Sequence, residues 1–449
     1  MGRITTIIFL WMIIISVSAD TIPDFITVNN NTYELYQKQE WKLLIRAGKS
    51  AVKMGYNYYY LRMRLGIAYF EQQKYLYAID HFKKAMELNS NDPVVLEYLY
   101  YCYIEMNRSD DAEKTFEQLP SFIKKRVKPE GARPVESLFL ETGPIVSNNY
   151  SLNKDIDLDG PENIYGETVL ERNAYYTGLG LAHRWNANIR SYYGYINYRS
   201  DRTKQFMFSD TMRLHNDYNY YQNQFYLNTS LHFAEVWTLT AAMHYLHGSF
   251  STYFATYDTD NNTVSLTYGK AKLNNYVASI AIEKDIHLIT MGVFSTYSNL
   301  NDANQLQAGF ALTYFPFGNL NLYLDSRLIN HLQDSKNRTI FNQIIGGRVT
   351  NKLWLEGFVT FGELLNYNEK NGYVIYNNPD KITFKWGTKL FFPINDKFMA
   401  SFEFHNFMKE GSFLTYKNLT ELDDLEPKPF YEPYTYQNYI FIGELKWKL

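Results

Sequence analysis

Residues 305–315 read Gln-Leu-Gln-Ala-Gly-Phe-Ala-Leu-Thr-Tyr-Phe. Leu306, Ala308, Phe310, Leu312 and Tyr314 fall on one face of an extended chain, and Gln307, Gly309, Ala311 and Thr313 fall on the other. Side chains of a strand alternate with period two, so one face can meet an apolar medium while the other meets a polar one. The same alternation returns along the chain. Over 319–327, Leu320, Leu322 and Leu324 oppose Asn321, Tyr323, Asp325 and Arg327. Over 382–392, Phe384, Trp386, Leu390 and Phe392 oppose Thr383, Lys385 and Lys389. Over 398–405, Ala400, Phe402 and Phe404 oppose Ser401, Glu403 and His405.

The connectors set the count. Short turns fall at 186–188, 234–236, 284–286, 317–319, 351–353 and 394–396. Longer polar loops fall near 147–172, 202–217, 256–272, 298–304, 332–337, 366–380 and 411–434. Six turns interleaved with seven loops make fourteen strands, an even number with both barrel ends on the short-turn side. Strands of about ten alternating residues with short turns at one end and long loops at the other are the pattern of an antiparallel transmembrane β-barrel of the bacterial outer membrane. Lipid enforces closure, because an open sheet edge in hydrocarbon leaves unpaired N–H and C=O groups.

Composition fits. There are 41 Tyr and 30 Phe against 7 Trp, and barrels place aromatic rings at both lipid–water boundaries. A mean hydropathy of -0.37 argues against helical spans. A net charge of -3 excludes a generally basic, nucleic-acid-binding chain. The one cysteine, Cys102, excludes an internal disulfide framework and is expected in a helical core.

The expected domains are a signal peptide over 1–19, a periplasmic helical domain over 20–120, a basic linker over 121–133 and the barrel over 134–449. Arg3, the apolar run 4–17 and Val17-Ser18-Ala19 make the secretory signal. Lys124, Lys125, Arg126 and Lys128 make the linker basic, either as a solvated segment or as a contact for anionic substrate or lipid.

Between the signal and the linker the period becomes helical. Leu65, Gly66, Tyr69, Ala78, Phe82 and Ala85 stand at a marked spacing, and four of them, Leu65, Tyr69, Ala78 and Phe82, recur 34 residues later as Leu99, Tyr103, Ala112 and Phe116. Earlier, Trp41, Leu44, Gly48 and Ala51 match a second helix alone. This segment resembles the tetratricopeptide repeat family, over about two and a half repeats. It departs at Tyr100, where the family has a small residue, and at Ser90, where proline is usual. The resemblance implies stacked helix pairs with a groove for a periplasmic protein or peptide, or a brace for the barrel mouth.

Inward-facing charges are expected at Glu141, Glu283, Asp325, Arg327, Glu356, Lys385, Lys389, Glu403, Glu444, Lys446 and Lys448, neutralising one another across strands. The run Asp155-Ile-Asp157-Leu-Asp159-Gly160 resembles the start of a calcium loop, but Gly166 stands where the closing carboxylate belongs, so a solvated acidic loop is expected. Glu421, Asp423, Asp424 and Glu426 make the last loop acidic as well. His215 and Asp217 are the nearest approach to a rim protease pair, and no catalytic motif, cofactor motif or metal set is expected. The outward row Tyr439, Phe441, Gly443, Leu445, Trp447 and Leu449 resembles the C-terminal signal that the barrel assembly machinery reads.

A repeat domain ahead of an outer-membrane barrel resembles, in architecture, the exopolysaccharide export porins and the surface lipoprotein assembly modifiers. That resemblance implies a porin-like channel for export or surface assembly of polysaccharide or lipoprotein. The alternative is a non-transporting anchor or attachment protein with an occluded barrel, closed by an inward-folded loop such as 147–172.

Overall fold

The computed structural model describes residues 24–90, 92–127, 134–155, 163–208, 212–258, 263–377, 380–417 and 429–449. The signal segment, Lys128, the acidic run from Asp157 to Gly160 and the acidic cluster from Glu421 to Glu426 lie outside the described residues.

The helical domain holds three helix pairs. They are α1 (Phe25–Gln37) with α2 (Trp41–Lys53), α3 (Tyr59–Glu71) with α4 (Tyr75–Leu88), and α5 (Pro93–Glu105) with α6 (Ser109–Gln118). A short α7 (Ser121–Lys124) follows. Phe25, Tyr59 and Pro93 open the first helices at steps of 34, and Trp41, Tyr75 and Ser109 open the second helices at the same step. The first pair is therefore a whole repeat, where the sequence showed half of one. Each pair is joined by one left-handed residue, Gln39, Gln73 or Asn107, with φ of 55°, 56° and 55°. Each turn is closed by the same 6→1 bond, Glu40 to Leu35, Lys74 to Tyr69 and Arg108 to Tyr103. That bond satisfies helix-end carbonyls.

Small-to-large matching fills the stack. Gly66 lies against the fully buried Phe82 ring, and a Cβ there would fall 2.5 Å from it. In the first repeat the same two positions are Thr32 and Gly48, and Leu65 fills the space over Gly48. In the third they are Tyr100 and Phe116, whose rings meet at 6.0 Å. Leu65, Tyr69, Ala78, Phe82, Ala85, Leu99, Cys102, Tyr103 and Ala112 all belong to one buried cluster, with Phe116 and Trp41 partly buried against it.

The barrel strands are β1 (Val135–Ser147), β2 (Asn163–Arg184), β3 (Ile189–Phe208), β4 (Met212–Phe233), β5 (Trp237–Asp258), β6 (Thr263–Ile286), β7 (Ile289–Ser298), β8 (Gln305–Tyr314), β9 (Leu322–Gln333), β10 (Lys336–Thr350) and β11 (Leu353–Leu364). They continue with β14 (Lys381–Pro393), β15 (Phe398–Lys417) and β16 (Pro429–Lys448). Two short strands, β12 (Tyr367–Glu369) and β13 (Val374–Tyr376), form a separate hairpin. The fourteen long strands run antiparallel, and β1 pairs with β16 to close the ring. Outward side chains make a broad apolar surface that includes Leu179, Phe225, Tyr276, Phe310, Trp386, Phe402 and Trp447.

Two expectations about connectors change. Strands β2 to β6 run for 20 to 24 residues, about twice what a bilayer needs. The segments 202–217 and 256–272 are thus largely ladder, as pairs such as Gln205 with His215 and Thr256 with Ser265 record. Polar side chains hid this, because strand beyond the bilayer has no lipid-facing row. The expected loop at 332–337 is a tight turn through Asp334 and Ser335, with φ of 50° and 61°. Leu320, expected in a strand, instead lies before β9 and packs with Leu288 and Phe315 against the helical core.

Candidate functional site

The interior of the barrel is divided by the β12–β13 hairpin. Its turn runs through Lys370, Asn371 and Gly372, all at positive φ. This is the segment that folds inward, in place of the expected 147–172, whose described residues form α8 (Asn149–Asn153), packed on β2 and β16, and the start of β2 itself. The hairpin is held by wall side chains. Gln307 donates to the Asn368 carbonyl at 3.0 Å, and its Oε1 accepts from Asn368 Nδ2 at 2.6 Å. Asn301 donates to Asn366 at 2.7 Å and to the Asn377 carbonyl at 2.8 Å. His244 Nδ1 lies 2.7 Å from the Gly372 carbonyl, so that nitrogen carries the proton. Tyr373 and Tyr176 both donate to Glu141. Lys385 reaches both oxygens of Glu369 at 2.8 and 2.6 Å, and the Tyr376 hydroxyl at 2.9 Å.

A cavity of about 690 Å³ surrounds the hairpin. Rings (Tyr176, Tyr192, Tyr198, Phe358), amides (Gln222, Asn342) and charges share its wall. Toward the short-turn end the charges form mixed clusters. Lys389 lies 3.3 Å from Glu403 and 3.2 Å from Glu444. His405 lies 2.8 Å from Glu403. Arg327 pairs with Asp325 at 2.8 Å, and Tyr323 donates to Glu356. Lys446 stands in register with Phe139 and Met399, outside these clusters. A separate apolar groove of about 830 Å³ is lined mainly by outward residues such as Leu179, Tyr195, Phe225 and Met243, so it belongs to the lipid-facing wall.

Above the hairpin there is a second closure. β14 stops at Lys381, opposite Glu410, and β1 stops pairing with β2 at Ala174. The freed edges of β15 and β2 then pair with each other, from Leu414 with Glu167 to Lys417 with Asn163. Under this ladder Lys409 holds Glu171 at 2.9 Å, Asn438 donates to the same carboxylate, and Tyr436 donates to Asp380 at 2.7 Å. Asp217 is bound by Arg172 and Thr203, so it is not free to orient His215.

The helical domain rests on the short-turn end, across four turns that are consecutive round the rim. Asp110 meets Arg184 at 2.8 Å and Arg190 at 3.1 Å beside the β2–β3 turn. Lys83 meets Glu235 at 3.2 Å at the β4–β5 turn, and Asp80 meets His287 at the β6–β7 turn. Leu76 donates its N–H to the Gly318 carbonyl, and Asn319 donates to the Gln73 carbonyl, at the β8–β9 turn. Arg108 bridges Asp111 at 2.7 Å and Asp285 at 3.1 Å, while His232 lies 2.9 Å from Asp111. Burial pushes the Asp111 carboxyl up, but the His232 hydrogen bond and the Arg108 guanidinium outweigh it and hold the group below the ordinary carboxylate range.

Several of these residues escaped sequence reasoning. Lys409 continues the inward row Glu403, His405, Phe407, and extending that strand would have found it. Asn371-Gly372, flanked by Tyr367 on one side and Tyr373-Val-Ile-Tyr376 on the other, is a hairpin signal. Nothing in the sequence marks Asp110 and Arg184 as partners.

Residues 59–127 match the tetratricopeptide repeat family model. The helical domain carries tetratricopeptide repeats. Among solved structures, the chain is similar to the Pseudomonas putida toluene transporter TodX, with 6% identity, TM-score 0.45, and 71% of this chain and 91% of that one covered. It is also similar to a Pseudomonas aeruginosa FadL homologue, at 9% identity, TM-score 0.45 and 70% and 90% coverage. The repeats align with a MamA mutant at 24% identity and TM-score 0.20, covering 20% of this chain and 53% of that one. No curated protein matches the sequence.

Proposed function

We propose that this chain is a gated channel of the Gram-negative outer membrane, with its repeats in the periplasm, serving export or surface assembly of polysaccharide or lipoprotein cargo. The observation that carries the reading is the hairpin between β11 and β14. It occupies a lumen of mixed polar and apolar lining, is held there in part by side-chain bonds, and leaves a cavity of about 690 Å³ around itself. The hairpin also packs Tyr367 and Tyr376 among Ile340, Leu364, Ile382 and Phe407, and Ile375 against Leu246, Val277 and Leu300, so the gate reading rests on its polar bonds, whose net worth is small against their desolvation cost. Ring faces beside amides, as at Tyr192, Gln222 and Asn342, suit a sugar chain, whose faces are apolar and whose edges donate and accept hydrogen bonds.

The repeats supply a receiving surface. Ile26, Tyr60 and Val94 occupy the second position of α1, α3 and α5, at steps of 34, and all three are exposed. An apolar row of that kind fits a peptide or a single helix of a periplasmic partner. The barrel assembly machinery and outer-membrane lipid are the other expected partners, through the last strand and the apolar belt.

The double closure favours a second reading, an occluded anchor with projecting hairpins for surface attachment. Planar-bilayer conductance separates the two. Residues 366–377 are replaced by a flexible Gly-Ser linker of equal length, and the full chain is compared with this variant and with one lacking residues 20–130. A closed full chain with a conducting hairpin variant supports the gated channel. No conductance from any form supports the anchor.

A further inference from the structure

The two repeats that rest on the barrel do so through one row of their second helices. In α4 the row is Leu76, Tyr77, Asp80 and Lys83, which meet Gly318, His287 and Glu235. In α6 it is Asp110, Asp111 and Lys114, which meet Arg184, His232 and the His232 carbonyl. Thirty-four residues before the α4 row, α2 carries Lys42, Leu43, Arg46 and Lys49, with Lys53 a turn further. All five are exposed, Leu43 to 46%. The helix holds four cations and no acid, and Glu40 precedes it. Among the described residues, none of the four cations has a carboxylate within ion-pair distance.

The barrel does not fit this third row. The next turn round the rim joins β10 to β11, and it carries Arg348 and exposed Lys352. Arg348 already lies near Tyr75 at the head of α4. Like charges facing across an interface repel, so the step that the other repeats use to grip the rim is reversed here.

We infer that the α2 row is a docking face for an acidic polypeptide segment of another protein. The repeat register supports a polypeptide. In the α4 row Lys83 pairs with Glu235 and Leu76 adds a main-chain bond to Gly318, and in the α6 row Lys114 reaches the His232 carbonyl, so the row's partners are polypeptide turns in both other repeats. Leu43 stands among the cations where Tyr77 meets the barrel at the equivalent position, and so supplies a side-chain anchor that a headgroup surface does not need. The face lies off the apolar row at Ile26, Tyr60 and Val94. It does not depend on transport, since an occluded anchor would carry it equally.

The full chain in lipid nanodiscs is titrated into a fluorescein-labelled twelve-residue peptide of repeating Glu-Glu-Leu, read by anisotropy at low and moderate salt. The K42E/R46E/K49E variant should bind at least tenfold more weakly, and salt should weaken the wild-type complex. L43A should weaken binding several-fold while keeping the salt slope, a readout that survives if charge reversal harms folding. Reversing Lys125, an exposed cation on the linker side, should leave affinity within twofold. Equal binding by the triple variant and wild type overturns the inference. So does displacement of the peptide by phosphatidylglycerol vesicles, which would make the face a lipid contact, or loss of the site through self-association in sedimentation.

Discussion

Replacing Lys385 with methionine tests the hairpin as a gate. Lys385 is 2% exposed, and its ammonium bonds both Glu369 oxygens and the Tyr376 hydroxyl. Methionine fills much of the same space but leaves Glu369 with Tyr376, at 3.0 Å, as its remaining partner in this cluster. Breaking a buried ion pair from one side costs about 3–5 kcal/mol, because a charge is left out of water without a counter-charge. The cost falls on the closed state alone, since a displaced hairpin returns Glu369 to water. The retained tyrosine bond argues for the lower end, about 3 kcal/mol, which raises the open-to-closed ratio roughly a hundredfold. Single-channel recording of the open probability reads this directly. The K385M/E369Q pair removes both charges and should close again to near the wild-type level. If K385M lowers the melting temperature but leaves open probability unchanged, the pair braces the wall and the gating argument fails. If the double variant opens as far as K385M, charge stranding is not the cause.

The helical domain yields three further expectations. Phe82→Ala should destabilise it by about 3–5 kcal/mol in chemical denaturation, and adding Gly66→Ala should recover part of that, because its methyl enters the vacated space. Cys102, fully buried and with its thiol pushed up by burial, should resist maleimide in the native protein and react once denaturant is added. His81 is pushed down to about 3, first by burial and then by the neighbouring Arg62. The unfolded chain takes up that proton near pH 6.5 and the folded one does not, so stability falls as pH drops from 6.5 toward 3, by about 2 kcal/mol at pH 5. His81→Gln should flatten that part of the profile in melting experiments.

The barrel was legible because lipid imposes a period of two on every strand that crosses it. Residues 305–315 and 398–405 could be assigned face by face for that reason. Beyond the bilayer the constraint lapses, so Gln205 and His215 pair across a ladder that reads as a polar loop. The hairpin at 367–376 was hidden differently. Its tyrosines and Glu369 pack against wall residues far away in sequence, and local pattern says nothing of depth. The first repeat was half visible because its marker positions had traded sizes. Thr32 takes the place of Gly66 and Gly48 that of Phe82, and Arg64 bonds Thr32 and Asn29 where an apolar contact is usual. The linkage of Asp110 to Arg184 rests on docking geometry, which no single-chain pattern encodes.

The four turns beneath the helical domain are consecutive in space but span residues 184 to 319, and the domain is made before any of them. Its full seat exists only when β2 to β9 stand in their proper order. A single missing or slipped strand moves each later turn by about 4.8 Å, more than an ion pair can stretch. Arg108 and Asp111, which need Asp285 and His232 together, would then find one partner at most. The helices therefore act as a gauge of barrel assembly, turning the success of folding within the sheet into a surface that is either seated or free.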